Sequence, residues 1–306
     1  MDARITKQRL ANMLSYDWLK IIGVIALAAV FFCMFFMMIA TRPTDGQLFY
    51  VYAYNSLTAG GDFGRLDRDL ENKNVFSYEI LDTGSETFSS GGIYGNSVFS
   101  ARRSVGEGRV MFVSDVRTAD ENGVESSELI DFIADKGTPS EEFRLFLDPK
   151  QFLSDCESYL SNFFGENLAE AEPDADKTRA AFMERNGKDK RFRSSAKKEA
   201  GIKQETERLK KLKADYAEVN EAIGSGKLDY VTYTGYENKE YVVGFSLASL
   251  NISSLVYYTA GEEGVEVKKT DGIALCLFDN GTREGDLKYE TVDFLAYLLR
   301  TYGAAQ

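Results

Sequence analysis

Residues 48–54 read LFYVYAY and residues 109–114 read RVMFVS. Both are short runs of aromatic and β-branched side chains, the composition of strands. The second is apolar almost throughout, as a strand buried on both faces of a parallel sheet would be. Between them the sequence predicts a short helix over Leu66–Asn72 and a second strand over Val75–Leu81 (VFSYEIL). Residues 82–92 (DTGSETFSSGG) read as a loop of turn residues. A helix follows over Tyr94–Val105, closed by Gly106 and Gly108. Strand, helix, strand, loop, helix, strand is the pattern of βαβ units around a parallel sheet.

Working outward toward the C-terminus, Ser126–Ala134 and Pro149–Phe164 read as helices. Strands are predicted at Tyr230–Thr234, Glu240–Leu247 and Ile273–Phe278. An amphipathic helix over Leu287–Tyr302 closes the chain. No internal repeat is visible. The expectation is an α/β domain over residues 41–306 with a helical insertion at about residues 170–224.

That insertion has its own composition. Residues 177–213 hold 14 Lys and Arg against 5 Asp and Glu, a local net charge of +9. The whole chain carries 36 Lys and Arg against 48 Asp and Glu, a net of −12, so the remainder is about −21. From Ile202 the apolar residues fall at 202, 209, 212, 216, 219 and 223, which are a and d positions of a heptad. Asn186-Gly187 marks a break between two helices. The pattern predicts a helical hairpin, or one long helix, with two uses open to it. Its apolar stripe packs on the domain with the basic face in solvent, or the basic face docks an acidic partner, an anionic envelope polymer or lipid headgroups.

Toward the N-terminus, Ile21–Ala40 (IIGVIALAAVFFCMFFMMIA) runs twenty residues without a charge. As a helix it is about 30 Å long, the thickness of a bilayer core. A transmembrane helix is therefore expected over residues 19–40, preceded by a cytoplasmic segment over residues 1–18. Arg4, Lys7, Arg9 and Lys20 stand before the run, against Asp2 and Asp17. Arg42 and Asp45 stand after it. This asymmetry puts the N-terminus in the cytoplasm and residues 41–306 outside the cell, with Tyr16 and Trp18 at the inner interface. Met38, two residues before the best cleavage candidate Ala40, is not small, so an uncleaved signal-anchor is expected over a cleaved leader. The predicted localisation is the cell membrane, single-pass.

Composition narrows the chemistry. There are 21 Phe and 17 Tyr, enough for a sizeable core, and no His. The absence of His removes Ser-His-Asp and Cys-His catalysis and every His-containing metal site. No GxSxG, GxxxxGK[ST] or HExxH occurs, and Gly106-Glu107-Gly108 precedes a strand, the wrong place for a dinucleotide loop. The acidic run from Asp115 to Glu128, with Asp120, Asn122 and Gly123, fails the EF-hand spacing because Leu129 stands where a bidentate Glu is needed. Glu141 and Glu142 are adjacent and diverge. Asn251 and Asn280 head glycosylation sequons, meaningful only in a eukaryotic secretory setting. Cys33 lies in the apolar run. Cys156 and Cys276 pair in a disulfide or stay as separate buried thiols. No enzyme, metal or cofactor is expected, and the acidic balance and external location argue against nucleic acid.

Residues 48–115, ending in SARRSVGEGRVMFVSD, resemble the first lobe of bacterial extracellular solute-binding proteins of the type II periplasmic-binding fold. In that family a helix ending in a Gly-containing turn leads into a strand closing on V-x-x-S-D, here Ser100–Gly108 and Val110–Asp115. The EYVVGFSL strand and the closing helix also look like family elements. The anchor in place of a lipobox and the charged insertion depart from it. The resemblance implies a periplasmic-binding-protein-like domain of a Gram-positive bacterium, with a ligand cleft beyond the carboxyl ends of the strands. Tyr54 would stack a ring there, and Asn55, Ser56, Ser85, Ser114 and Asp115 would meet hydroxyls. Two functions are thus in view. One is a membrane-anchored, solute-binding-like domain that serves a transporter or holds another envelope protein. The other is an assembly component of a membrane complex that docks through the basic heptad helix 177–223.

Overall fold

The computed structural model describes residues 7–8, 18–39, 43–89, 95–121, 125–136, 145–235, 238–260 and 267–303. Arg4, Arg9, Tyr16, Asp17, Ala40 and Arg42, which bear on orientation and cleavage, lie outside the described residues. So do Tyr94, Asn122, Gly123, Glu141 and Glu142. The chain divides into two units, residues 1–42 and 43–306.

The first unit is helix α1 (Trp18–Ile39), 22 residues long. Its Trp18–Met37 portion has a mean hydropathy of 2.6 and none of it is buried within the protein. Val24, Phe32 and Phe36 are each more than two-thirds exposed. A helix this long and apolar is able to cross a membrane.

The second unit is a three-layer α/β sandwich. Its strands and helices are β1 (Leu48–Tyr54), α2 (Leu66–Asn72), β3 (Asp82–Phe88), α3 (Gly95–Ser104), β4 (Val110–Ser114), α4 (Glu128–Lys136) and α5 (Pro149–Phe164). They continue with α6 (Ala175–Asn186), α7 (Ser195–Gly224), β7 (Asp229–Thr234), β8 (Glu240–Ser246), β11 (Ile273–Leu277) and α8 (Glu290–Tyr302). Short strands β2 (Thr58–Ala59), β9 (Val256–Ala260) and β10 (Val267–Lys269) form a side sheet, and β5 (Thr118–Ala119) pairs with β6 (Glu125–Ser126).

The main sheet has the order β3-β1-β4-β11-β8-β7. Side-chain alternation along each strand assigns its two faces. From β1 and β4, Phe49, Val51, Ala53, Val110 and Phe112 meet α5, α7 and α8, while Tyr52, Tyr54, Met111 and Val113 meet α3 and α4.

Three expectations are corrected. The second strand is Asp82–Phe88, the segment read as a loop, and Val75–Leu81 is not a strand. β3 is an edge strand with mostly half-exposed side chains, so it needs no apolar alternation. Gly84 is fixed by packing, because a Cβ there would lie 2.5 Å from the Tyr50 ring. Second, the sheet is mixed. β3, β1 and β4 are parallel, but β11 runs antiparallel to both β4 and β8. Every residue of β11 is buried, and burial makes a strand apolar without fixing its direction. Third, the closing helix begins at Glu290, after a 3-10 turn over Gly285–Tyr289.

The insertion is a helical hairpin, α6 and α7, joined by a 3-10 turn over Lys190–Phe192. Asp174 and Ser194 cap the two helices by accepting hydrogen bonds from backbone N–H groups of their first turns. The heptad residues Leu209, Leu212, Tyr216 and Val219 are buried in the main core. Cys156 and Cys276 are separate, buried free thiols. Burial pushes both thiols far above the ordinary range, which makes them inert.

Candidate functional site

The parallel strands β3, β1 and β4 end side by side at Phe88, Tyr54 and Ser114. This brings five of the six expected ligand residues to one edge. The sixth, Ser85, sits in mid-strand opposite Val51, and its hydroxyl donates to the Phe63 carbonyl at 2.9 Å. It was expected at a strand end only because the second strand was placed seven residues too early.

The five at the edge are engaged within the domain. The Tyr54 ring packs edge-on against Phe132 of α4, with centroids 4.6 Å apart. Asn55 adopts φ 43° and donates its N–H to the Phe88 carbonyl at 2.6 Å, turning the chain away from the sheet. Ser56 donates its N–H and its hydroxyl to the two oxygens of Glu128, at 3.1 and 2.6 Å. Asp115 accepts from Ser127 at 2.7 Å and from Arg117 at 3.1 Å, and Arg117 reaches on to Glu125 and the Thr232 carbonyl. Ser114 is buried. Helix α4 and the β5–β6 hairpin thus cover the edge.

A second constellation, absent from the sequence reading, lies on the other side of the sheet. Segment 73–81 turns its polar groups inward toward the helical hairpin. Glu79, fully buried, accepts from Arg185 at 3.1 Å, Arg191 at 2.9 Å, Gln47 at 3.4 Å and also from Asn186. Glu205, also fully buried, accepts from Tyr78 at 2.9 Å, Arg185 at 2.5 Å and Arg208 at 2.9 Å. Arg208 continues to Glu290 at 2.7 Å, and Glu290 accepts both the N–H and the hydroxyl of Ser77. Asp286 completes the set by accepting from Arg185 at 2.5 Å and Tyr159 at 2.9 Å.

The electrostatics follow from this saturation. Burial alone would raise the Glu79 carboxyl, but Arg185, with the hydrogen bonds from Asn186 and Arg191, outweighs it and holds the group down at about 2. Glu290 is lowered in the same way, burial opposing and Arg208 prevailing. These are structural charges held in ionised form, with their lone pairs occupied. One sequence signal pointed to them. The heptad 202, 209, 216, 223 has its first d position at 205, and Glu205 stands there. A carboxylate inside an apolar stripe needs a buried partner.

A further lock lies toward the end of α7. Lys211 bridges Asp215 at 2.7 Å and Asp293 of α8 at 3.1 Å, and Arg300 reaches Asp215 and Glu218, each at 2.5 Å. The hairpin is thereby bonded along its length. What it leaves outward at its turn is basic: Lys188, Lys190, Arg193 and Lys197 are all exposed.

Among the described residues, no group of three or more acidic or Cys side chains is placed to hold a metal ion. Two clefts flank the 74–78 segment. One of about 510 Å³ is bordered by Asp67, Glu71 and Asp82. The other, of about 360 Å³, has an apolar floor of Phe76 and Tyr78 beneath Lys203 and Lys211. Comparison with protein-family models, curated proteins and solved structures finds no match to this chain.

Proposed function

We propose that this protein is a single-pass, membrane-anchored docking domain without catalytic activity. Helix α1 holds it in the membrane, with the N-terminus cytoplasmic and residues 43–306 outside the cell. The basic hairpin turn engages an anionic partner at the cell envelope. One observation carries the reading. A saturated ion network fixes the hairpin to the domain and leaves Lys188, Lys190, Arg193 and Lys197 outward on a chain whose remainder is strongly acidic. An arm that only packed on the core would need no such concentration of outward charge.

Deleting the arm does not test this, because Leu209, Leu212 and Val219 belong to the core. Charge reversal does. The variant K188E/R193E/K197E should melt like the parent, yet no longer migrate in a larger assembly when membranes are solubilised gently and run on a native gel. Identical migration of parent and variant removes an envelope protein as the partner, and equal reactivity of Lys188 and Lys197 toward an amine-reactive ester in native membranes and in detergent removes the docking reading.

A second reading has support from the sheet. Three parallel strands ending together at Tyr54, Phe88 and Ser114 are the geometry of a solute edge in α/β proteins. On this reading the domain is periplasmic-binding-protein-like and a small solute displaces α4 from Ser56 and Asp115. A thermal-shift screen over sugars, amino acids and peptides tests it. A raised Tm that Asp115→Ala abolishes supports solute capture, and a flat screen removes it.

A further inference from the structure

The hairpin turn lies beside the point where the chain enters the domain. Gln47 stands at the end of a 3-10 turn (Asp45–Gln47) that immediately follows residue 44. Its side-chain amide donates to Glu79, the same carboxylate that Arg191 of the hairpin turn and Asn186 at the end of α6 hold. Residue 47 and the 186–191 turn are therefore neighbours through one shared side chain.

Chain length brings that neighbourhood to the bilayer if α1 spans it. Ile39 ends α1 and Asp45 begins the domain's first turn, six residues later. Six residues, however extended, span at most about 21 Å. The entry point of the domain is thus tied within reach of the headgroup layer at one end of the span.

The chemistry of the turn suits that layer. Residues 187–198 hold Lys188, Lys190, Arg191, Arg193, Lys197 and Lys198 against Asp189, six cations to one anion, and Asp189 is already paired with Arg191 at 2.8 Å. The large apolar side chain in this stretch, Phe192, is buried against Phe182 and Gly201. A protein partner is ordinarily gripped by exposed aromatic or aliphatic anchors at the centre of an interface. Here the outward groups are long, flexible cations, which match a layer of phosphates and need no shaped pocket.

We infer that the basic hairpin turn at residues 187–198 rests on the membrane that carries the protein and binds its anionic phospholipid headgroups. This rests on the docking reading above and names its partner. Domain and bilayer would then be joined twice, by α1 and by the turn.

The test uses the full chain in lipid nanodiscs, of phosphatidylcholine alone or of phosphatidylcholine and phosphatidylglycerol at about three to one. Lysine acetylation by an amine-reactive ester is followed residue by residue by mass spectrometry. A cation paired with an anionic surface gains about fivefold in occupancy, so Lys188, Lys190 and Lys197 should react about fivefold more slowly in the anionic discs. High salt should restore their rates, and exposed Lys227 should react alike in both discs. Equal rates at the three lysines in the two discs overturn the lipid inference. If the rates are equal in both discs and these lysines are shielded only in native membranes, the partner is a protein. The lipid inference then fails while the docking reading stands. Shielding in neither, with unchanged native-gel migration of the charge-reversed variant, removes both.

Discussion

At the scale of single residues, Glu79 joins several parts of the fold. It ties the domain entry, segment 73–81 and both ends of the hairpin turn through one carboxylate. Removing its charge leaves two arginines facing a neutral amide, so Glu79→Gln should cost about 3–5 kcal/mol at neutral pH, measured by urea unfolding in micelles. Its acid dependence is also set. The carboxyl sits at about 2 when folded against 4.5 when free, so its stabilisation is complete above pH 4.5 and lost as pH falls toward 2. Across that window the parent should lose stability faster than Glu79→Gln. Parallel curves would show that Glu79 is not held as described. The residue scale was the least legible in the sequence. Glu79 lies in VFSYEIL, whose apolar residues suggest a strand, and nothing local announces that Ser77, Tyr78 and Glu79 face five partners more than a hundred residues away, Arg185, Asn186, Arg191, Glu205 and Glu290. Only Glu205, misplaced in its heptad, gave notice. The edge residues were legible as a group because turn residues at strand ends are local features. Their occupation by Glu128 and Arg117 was not, because it depends on where α4 comes to rest.

At the scale of elements, α6 and α7 cross closely at Gly201. A Cβ there would lie 2.3 Å from the Phe182 ring and 2.9 Å from Phe192. In an exposed helix, Gly→Ala gains about 1 kcal/mol. Here overpacking of about 1–3 kcal/mol opposes it, so Gly201→Ala should lower the Tm. Phe182→Leu added to Gly201→Ala should cost less than the sum of the two single changes. A Tm raised by Gly201→Ala would mean the helices do not meet there. Elements with a strong period or cap were legible. Pro149–Phe164 agrees to the residue, since Asp148 caps it and proline opens it. The edge strand β3 was not, because a strand with one neighbour and two half-wet faces carries the same residues as a loop. Nor was strand direction, because β11 pairs with partners distant in sequence.

At the scale of the whole molecule, the charge distribution and the apolar N-terminal helix set the behaviour. If α1 spans the bilayer, alkaline carbonate should leave the full chain in the membrane pellet, since stripping peripheral contacts does not extract a spanning helix. Release into the supernatant would remove the anchor reading. The partition into an apolar helix and one α/β domain was readable because it rests on composition over long windows. The use of the domain's surface was not, because recognition depends on surfaces assembled from distant segments.

The position of β11 has a consequence for biosynthesis. This strand, residues 273–277, is made after every other strand of the main sheet, yet it fills the middle of the sheet between β4 and β8. Helix α8 follows it and is buried along almost its whole length. Until residues 273–302 have been made, β4 has an open edge and one face of the sheet lacks part of its cover. At about 5–20 residues per second, the growing chain waits many seconds with that edge unpaired. A chain cut short before residue 273 lacks the strand that joins β4 to β8, so it should be degraded rather than persist as a smaller domain, which pulse-chase of such a truncation would read.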